Sequence, residues 1–356
     1  MKIRKKKILI LENFTHYRNC AETYKLLKDY FEVRVLIPKN SHQHLKFFKI
    51  KKLKTYYFSN YFIYIYLSFV SWNYDFIVIS NPPEYPDKIR KFRNIISFLT
   101  YYITFLIFCL FYKNKIILQI RNIKSFFPEI NNNSLLSKLR YIYIVLLKRF
   151  TFETLAISKE FEKLIKSNKL KNKLYTHVYI NHHYKNKKKN KIDQKIGILG
   201  TVDDRRKNYK VLFNSLLKLR NKKIEIIFLG KIVNFDKSKY KNLNITTFNK
   251  FVPYSKFFKI GTTCKFLISN LIDKNIYGKF KSSGTFGDAI FLAKPLIVPG
   301  FSDPLKEFKD FTFYYKDAQT LRKKISSLLN KRKIKFRFNS FNKEKNLRRL
   351  IKKLDL

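Results

Sequence analysis

Short apolar runs of strand length recur along the first half of the chain: residues 7–11 (KILIL), 33–37 (VRVLI), 75–80 (DFIVIS) and 115–120 (KIILQI). Near-continuous runs of this kind are the mark of strands covered on both faces. Between the first two, residues 19–29 (NCAETYKLLKD) put Ala21, Tyr24 and Leu27 on helical spacing. Pro38 closes the second run and Asn81-Pro82-Pro83 the third, because proline removes ladder donors. Residues 61–70 are apolar and fit helix or strand. Further on, residues 138–149 predict a helix and 154–157 (TLAI) a short strand. Ser158 is suited to cap a helix over 159–167, and 177–180 predict a last strand. Repeated strand–helix units imply a parallel sheet clothed by helices.

Residues 184–194 (YKNKKKNKIDQ) lack apolar periodicity and read as a basic surface linker. A second series follows. Strands are expected at 195–199, 224–229, 245–248, 266–269, 295–298 and 313–315, and helices at 208–219, from 287, at 320–329 and at 346–354. The fold class is therefore α/β, with two Rossmann-like βα domains facing a cleft. Residues 1–183 form the first domain, 184–194 the linker and 195–335 the second domain. Residues 336–356 form a C-terminal helix, with a return to the first domain as one option. Ligands of such sheets bind beyond the carboxyl ends of the strands.

Residues 95–112 (IISFLTYYITFLIFCLFY) are uncharged and lie between Arg93 and Lys113, at the short end of spanning length. A spanning helix would put the strands at 75–80 and 115–120 on opposite sides of a membrane, whereas a crossover helix returns them to one sheet. A crossover helix, with contact to a membrane surface open to it, is the expectation. The start, MKIRKKKILIL, is basic and then apolar, but Glu12 breaks the apolar run and no small-residue cleavage site follows. It reads as a strand rather than a signal peptide.

The chain has 356 residues with 76 Lys+Arg against 24 Asp+Glu, a formal charge of +52. Only 8 Gly and 9 Pro occur, while Lys, Asn, Ile, Phe and Tyr abound, residues whose codons are rich in A and T. Genome bias accounts for most of the lysine. What remains is a surface that attracts acidic lipid, nucleic acid or phosphorylated substrates. A 46% apolar content excludes a disordered tail protein. Cys20, Cys109 and Cys264 lie too far apart for a disulfide framework or a Cys-rich metal site, and suit a reducing interior.

Two segments carry candidate chemistry. Gly200-Thr201-Val202-Asp203-Asp204-Arg205-Arg206-Lys207-Asn208 follows a strand and opens a helix, placing three consecutive cations beside free backbone N–H groups. Alone, it is equally a solvated basic turn. In residues 277–293 (YGKFKSSGTFGDAIFLA), Gly278, Gly284 and Gly287 cluster in a glycine-poor chain, so the backbone there is expected to need positive φ or close approach. Ser282-Ser283-Gly284-Thr285 precede a helix and can face an anion, and Asp288 can accept from two ribose hydroxyls. Equivalent strand–helix junctions in one domain favour a single nucleotide-diphosphate site over two ordinary caps.

With these motifs in their order, the chain resembles the GT-B glycosyltransferases, in particular the nucleotide-sugar-using group called family four and its relatives in surface-polysaccharide synthesis. Gly200…Arg206-Lys207-Asn208, then Ser283-Gly284-Thr285, Asp288 and Lys294-Pro295-Leu296-Ile297, look like that family's second domain. Leu155-Ala156-Ile157-Ser158-Lys159-Glu160 and Val178-Tyr179-Ile180-Asn181 look like the end of its first. The resemblance implies a donor-binding second domain and an acceptor-side first domain. In it, Arg206 and Lys207 would hold the diphosphate, Ser283, Gly284 and Thr285 would cap the phosphates, and Asp288 would bind ribose. Gly200 and Thr201 would form the turn, with no metal or cofactor beyond the nucleotide-sugar substrate. Two departures stand out. Thr201 replaces the family's arginine, for which Arg205 or Lys281 could substitute, and Phe280 stands where the first of two acidic residues is usual.

His16 follows the first strand, where inverting relatives keep a base; a surface-loop histidine is the plainer reading. Asn81-Pro82-Pro83-Glu84, Arg121-Asn122 and His182-His183 also border strand ends, the last without a third metal ligand. The expected activity is sugar transfer from a nucleotide-diphosphate-sugar to a glycan or lipid-linked acceptor. The expected place is the cytoplasm, with the inner membrane face as an acidic partner surface and no specific nucleic acid. An integral membrane protein, a nucleic-acid-binding protein and an inactive glycosyltransferase-like protein are the alternatives.

Overall fold

The computed structural model describes residues 5–12, 17–57, 62–80, 92–120, 153–156, 163, 174–175, 194–219, 224–275, 277–278, 283–338, 341, 344, 347–348 and 351. The chain divides into two units, Met1–Val178 with Glu344–Leu356, and Tyr179–Lys343.

The described part of the first unit runs β1 (Lys7–Leu11), α1 (Tyr17–Leu27), β2 (Glu32–Pro38), α2 (His42–Leu45), β3 (Leu53–Tyr56), α3 (Ile63–Val70), β4 (Phe76–Ile79), α4 (Phe92–Tyr112), β5 (Ile116–Ile120), β6 (Glu153–Ala156) and β7 (Leu174–Tyr175). Every pairing is parallel, in the order β3-β2-β1-β4-β5-β6-β7. Ile10 lies between Val35 of β2 and Val78 of β4, so β1 is buried on both faces and tolerates an unbroken apolar run. The order reverses direction between β1 and β4, the crevice where such sheets take ligands.

α4 is a crossover: β4 and β5, which it joins, pair directly, Ile77 with Ile116. Among the described residues no helix is long and apolar enough to cross a membrane. The ambiguous stretch at 61–70 is helical over α3, and packing explains why. Tyr64 sits against Tyr101, Phe105 and Phe108 of α4 at ring distances of 5.2, 4.8 and 5.8 Å, and Tyr112 donates to the Ser68 carbonyl at 2.7 Å.

The second unit runs β8 (Lys195–Leu199), β9 (Val202–Asp203), α5 (Tyr209–Leu217), β10 (Glu225–Asn234), β11 (Asn244–Phe248), α6 (Tyr254–Gly261), β12 (Phe266–Ile268), α7 (Gly284–Leu292), β13 (Leu296–Pro299), β14 (Thr312–Tyr315) and α8 (Ala318–Asn330). The parallel order is β11-β10-β8-β12-β13-β14, with β9 pairing the far end of β10. Asn208 caps α5 by accepting from the Val211 N–H at 3.0 Å. The expected C-terminal helical region is shared between the units. Phe338 and Phe341 are buried against Phe311 and Phe308 of the second unit, whereas Glu344–Leu356 groups with the first. The helix expected at 138–149, the strand at 177–180 and linker residues 184–193 lie outside the described residues, as does the helix expected at 159–167 apart from Lys163, which is helical.

The end of β8 fixes the turn that follows. Gly200 has φ +79°, and a Cβ on Gly230 would overlap the Gly200 carbonyl oxygen and stand 2.6 Å from its carbon. The contact is backbone on backbone, so no side chain can give way. Gly230→Ala is therefore expected to cost about 1–3 kcal/mol, a melting temperature lower by roughly 2–4 °C per kcal/mol. Differential scanning calorimetry checks this, and an unchanged melting temperature would refute the close approach.

Candidate functional site

In the second unit the turn after β8 is built by its own carboxylate. Asp203 is buried; its Oδ1 accepts from the Arg205 backbone N–H at 3.1 Å and from Nε at 3.0 Å, while Oδ2 accepts from a terminal nitrogen at 3.1 Å. These bonds hold the Asp203 carboxyl below the usual carboxylate range. Arg205 is thus engaged in shaping the turn, while its side chain stays largely exposed. Thr201 itself is exposed.

Lys207 departs furthest from a solvated cation. It is only 5% exposed, and its Nζ donates to the Leu199 carbonyl, folding back beneath Gly200. Burial, reinforced by the Arg206 charge, pushes its amine down to about 7, against the opposing pull of Asp288 and Asp203. The image of three cations side by side at the mouth of a site therefore gives way to three separate roles. Arg205 is bound to Asp203, Lys207 is buried, and Arg206 is exposed and donates to the Tyr277 hydroxyl at 2.5 Å.

That last bond joins the two segments singled out by sequence, and the backbone joins them too. Lys207 bridges Leu271, Asn208 N–H donates to the Asn270 carbonyl at 2.9 Å, and Ile272 N–H donates to the Arg206 carbonyl at 3.3 Å. Beyond lies α7, whose Asp288, half-buried, is close enough to act on Lys207. Ser283 caps the helix: its hydroxyl accepts from the Thr285 N–H at 3.4 Å and shares a 2.7 Å hydrogen bond with the Thr285 hydroxyl.

The glycines behave differently from one another. Gly278 needs its freedom, with φ +80° and no room for a Cβ against the Phe301 carbonyl oxygen. Gly284 does not have a positive φ, and a Cβ there would meet none of the described residues within 4 Å. The expectation of backbone constraint thus fails at Gly284. Among the described residues, the space beside it at the first turn of α7 is open.

Sequence reasoning missed two groups. Ser269 and Asn270 end the β12 run; the Ser269 hydroxyl and both Asn270 amide atoms are buried without a hydrogen-bond partner. Buried amides are ordinarily satisfied, so an orphaned one beside Lys207 suits a polar ligand. In the first unit, Glu12, Ser80 and Gln119 are buried at the carboxyl ends of β1, β4 and β5. Next to them, Arg18 and Glu22 of α1 pair at 3.6 Å, and Gln119 donates to the Thr23 hydroxyl at 2.9 Å. The available signal was a polar residue ending each apolar run.

His16 and Lys281 lie outside the described residues, as do residues 81–84, 121–122 and 182–183. Among the described residues no three His, Cys, Asp or Glu side chains gather as metal ligands, and all three cysteines are free and buried.

No family model matches the sequence, and no curated protein matches it. Solved structures do match. The Anabaena protein HepE in complex with UDP is 11% identical, with a TM-score of 0.59 over 98% of this chain and 95% of its own. UDP-GlcNAc 2-epimerase from Neisseria meningitidis bound to UDP-GlcNAc is 11% identical, with a TM-score of 0.59 over 98% of this chain and 99% of its own. An alpha-glucosyltransferase in complex with UDP and a 13-mer DNA is 10% identical, with a TM-score of 0.58 over 98% and 96%. At this identity the likeness establishes the fold: two parallel-sheet, Rossmann-like α/β domains of the GT-B kind.

The buried amine has a pH signature. In the unfolded chain Lys207 holds its proton up to about 10.5, and in the folded protein it releases it near 7. Between those values the unfolded state binds more protons, so this group's contribution to stability rises with pH. Urea unfolding at pH 7 and pH 9.5 is expected to show a smaller rise in Lys207→Met than in the parent. An identical rise would place the amine in solvent.

Proposed function

We infer that the protein is a glycosyltransferase that moves a sugar from a nucleotide-diphosphate-sugar to a glycan or lipid-linked acceptor in cell-surface polysaccharide synthesis, working peripherally at the cytoplasmic membrane face. The observation that carries this reading is the junction of the β8–α5 turn with the β12–α7 connection. There Arg206 reaches Tyr277, Lys207 is buried within reach of Asp288, and Gly284 leaves open space at a helix N-terminus. The complexes of similar fold with UDP and UDP-GlcNAc support it.

In this reading the first turn of α7, with Ser283, Gly284 and Thr285, takes the diphosphate. Asp288 holds the ribose, and Asn270 supplies an amide to the phosphates or the sugar. Negative charge develops on the departing nucleotide as the glycosidic bond breaks. Arg206, and Lys207 reprotonated by the adjacent anion, stabilise that charge more than the ground state. Lys281 adds a cation on the same connection, and His16 is the candidate base that deprotonates the acceptor. This chemistry draws on no divalent metal or separate cofactor. Epimerisation of the same class of donor is the second reading, favoured by the 2-epimerases among the similar structures.

A panel of UDP-, GDP- and CMP-sugars is expected to yield one nucleotide class that raises the melting temperature. The gain would be about 2.7 kcal/mol at 100 times the dissociation constant. Arg206→Ala and Asp288→Ala are each expected to abolish the shift. Gly284→Ala should leave the unliganded melting temperature unchanged yet weaken the shift, since its methyl would occupy only the open space. A shift that survives all three would refute the site. Sugar incorporated into acceptor supports transfer, whereas conversion of the donor without acceptor supports the epimerase.

A further inference from the structure

In the first unit, α3 and α4 pack together through Tyr64 and Tyr112, yet both leave large apolar side chains in solvent. On α3 and the turn after it, Ile65, Phe69 and Trp72 are exposed, Phe69 at 75% and Trp72 at 78%; on α4, so are Ile107, Leu110 and Phe111, the last at 71%. Isolated exposed apolar residues are ordinary, but such a concentration on two neighbouring helices marks an interaction surface. On the flank of α3 lies a cavity of about 270 Å³ lined by Lys7, Arg34 and Lys54 together with Tyr66 and Val70 of the same helix. Among the described residues no carboxylate lines it, and Glu32 beside it faces more than one cation. Glu32 pairs with Arg34 at 3.4 Å and Lys52 at 3.2 Å, and Asp75 accepts from the Lys7 backbone N–H at 2.6 Å.

We propose that this face docks onto an acidic lipid bilayer. Phe69, Trp72 and Phe111 enter the boundary between headgroups and acyl chains, and the Lys7–Arg34–Lys54 cavity takes an anionic headgroup. Aromatic side chains suit that boundary, having an apolar body beside a wet layer. Basic residues next to it add attraction to anionic lipid. A second copy of the chain is a poorer occupant, because two surfaces of net charge +52 repel. The inference deepens the membrane-face reading but stands on the first unit alone, so it can fail without the nucleotide site failing, and the reverse.

Trp72 is the only tryptophan in the chain and lies on the proposed face, so its fluorescence reports docking directly. The full chain is titrated at low salt with vesicles of phosphatidylcholine alone and of phosphatidylcholine mixed with phosphatidylglycerol. With the acidic vesicles Trp72 emission is expected to move to shorter wavelength and to be quenched by acyl-chain-brominated lipid. Phe69→Glu with Phe111→Glu should abolish the change, with the circular dichroism and any nucleotide-induced thermal shift retained. Arg34→Gln with Lys54→Gln should weaken acidic-vesicle binding about tenfold or more. Three results would overturn the proposal: an emission spectrum indifferent to acidic vesicles, equal binding to both vesicle types, or a concentration-dependent shift without lipid, which would mean that a second copy covers the face.

Discussion

The backbone of Gly200 occupies the place where any side chain on Gly230 would have to be. With two strands pressed this closely, the chain leaving β8 passes through a left-handed glycine and continues in the same direction along the extension of β10, where Val202 pairs in parallel with Ile232. Asp203 then ties the turn from within. The position of Lys207 follows from that geometry: its stem passes under Gly200 and its amine ends on the Leu199 carbonyl. Removing an ammonium from water is costly, and the response is visible in its lowered proton affinity. The protein keeps in its interior a cation that is only partly charged near neutrality.

The turn gains a use from a segment some seventy residues further on. Asn270, Leu271 and Ile272 run against Lys207 and its neighbours, and Tyr277 meets Arg206, before the chain enters α7 at Ser283. Parallel sheets bring successive strand–helix connections to the same edge, so two junctions distant in sequence become neighbours without any special device. The orphaned amide of Asn270 and the start of α7 at Gly284 stand at the two ends of the second of these connections.

What the sequence disclosed depended on how completely an element was buried. β1, β4, β5, β8 and β12 lie inside their sheets and show mostly apolar runs, so their existence was legible. β3 was not, because an edge strand of sequence LKTY needs an apolar side chain on one face only and looks like loop. β10 extends past Leu229 into Lys231–Asn234 through pairing with β9, a register effect that no composition encodes. α3 is decided by the aromatic surface of α4 rather than by its own periodicity. In the site, the glycines and the basic run were readable, but their division of labour was not. Nothing in Arg205-Arg206-Lys207 says which cation a neighbouring carboxylate will claim, which one will be buried, and which one will reach across to Tyr277.

The same distinction settles how a charge of +52 should be read. Spread over a solvated surface, lysines are screened within about 8 Å at physiological ionic strength, so each contributes little beyond a general affinity for anions. Charge acquires specificity where water is excluded or where a second chemistry stands beside it. Lys207 meets the first condition through burial. Lys7, Arg34 and Lys54 meet the second, since they line a cavity that also touches a helix exposing aromatic side chains. Compositional bias can supply any number of lysines, but it does not choose which of them sit under a glycine turn or beside an uncovered aromatic face. Those placements come from sheet topology and helix packing.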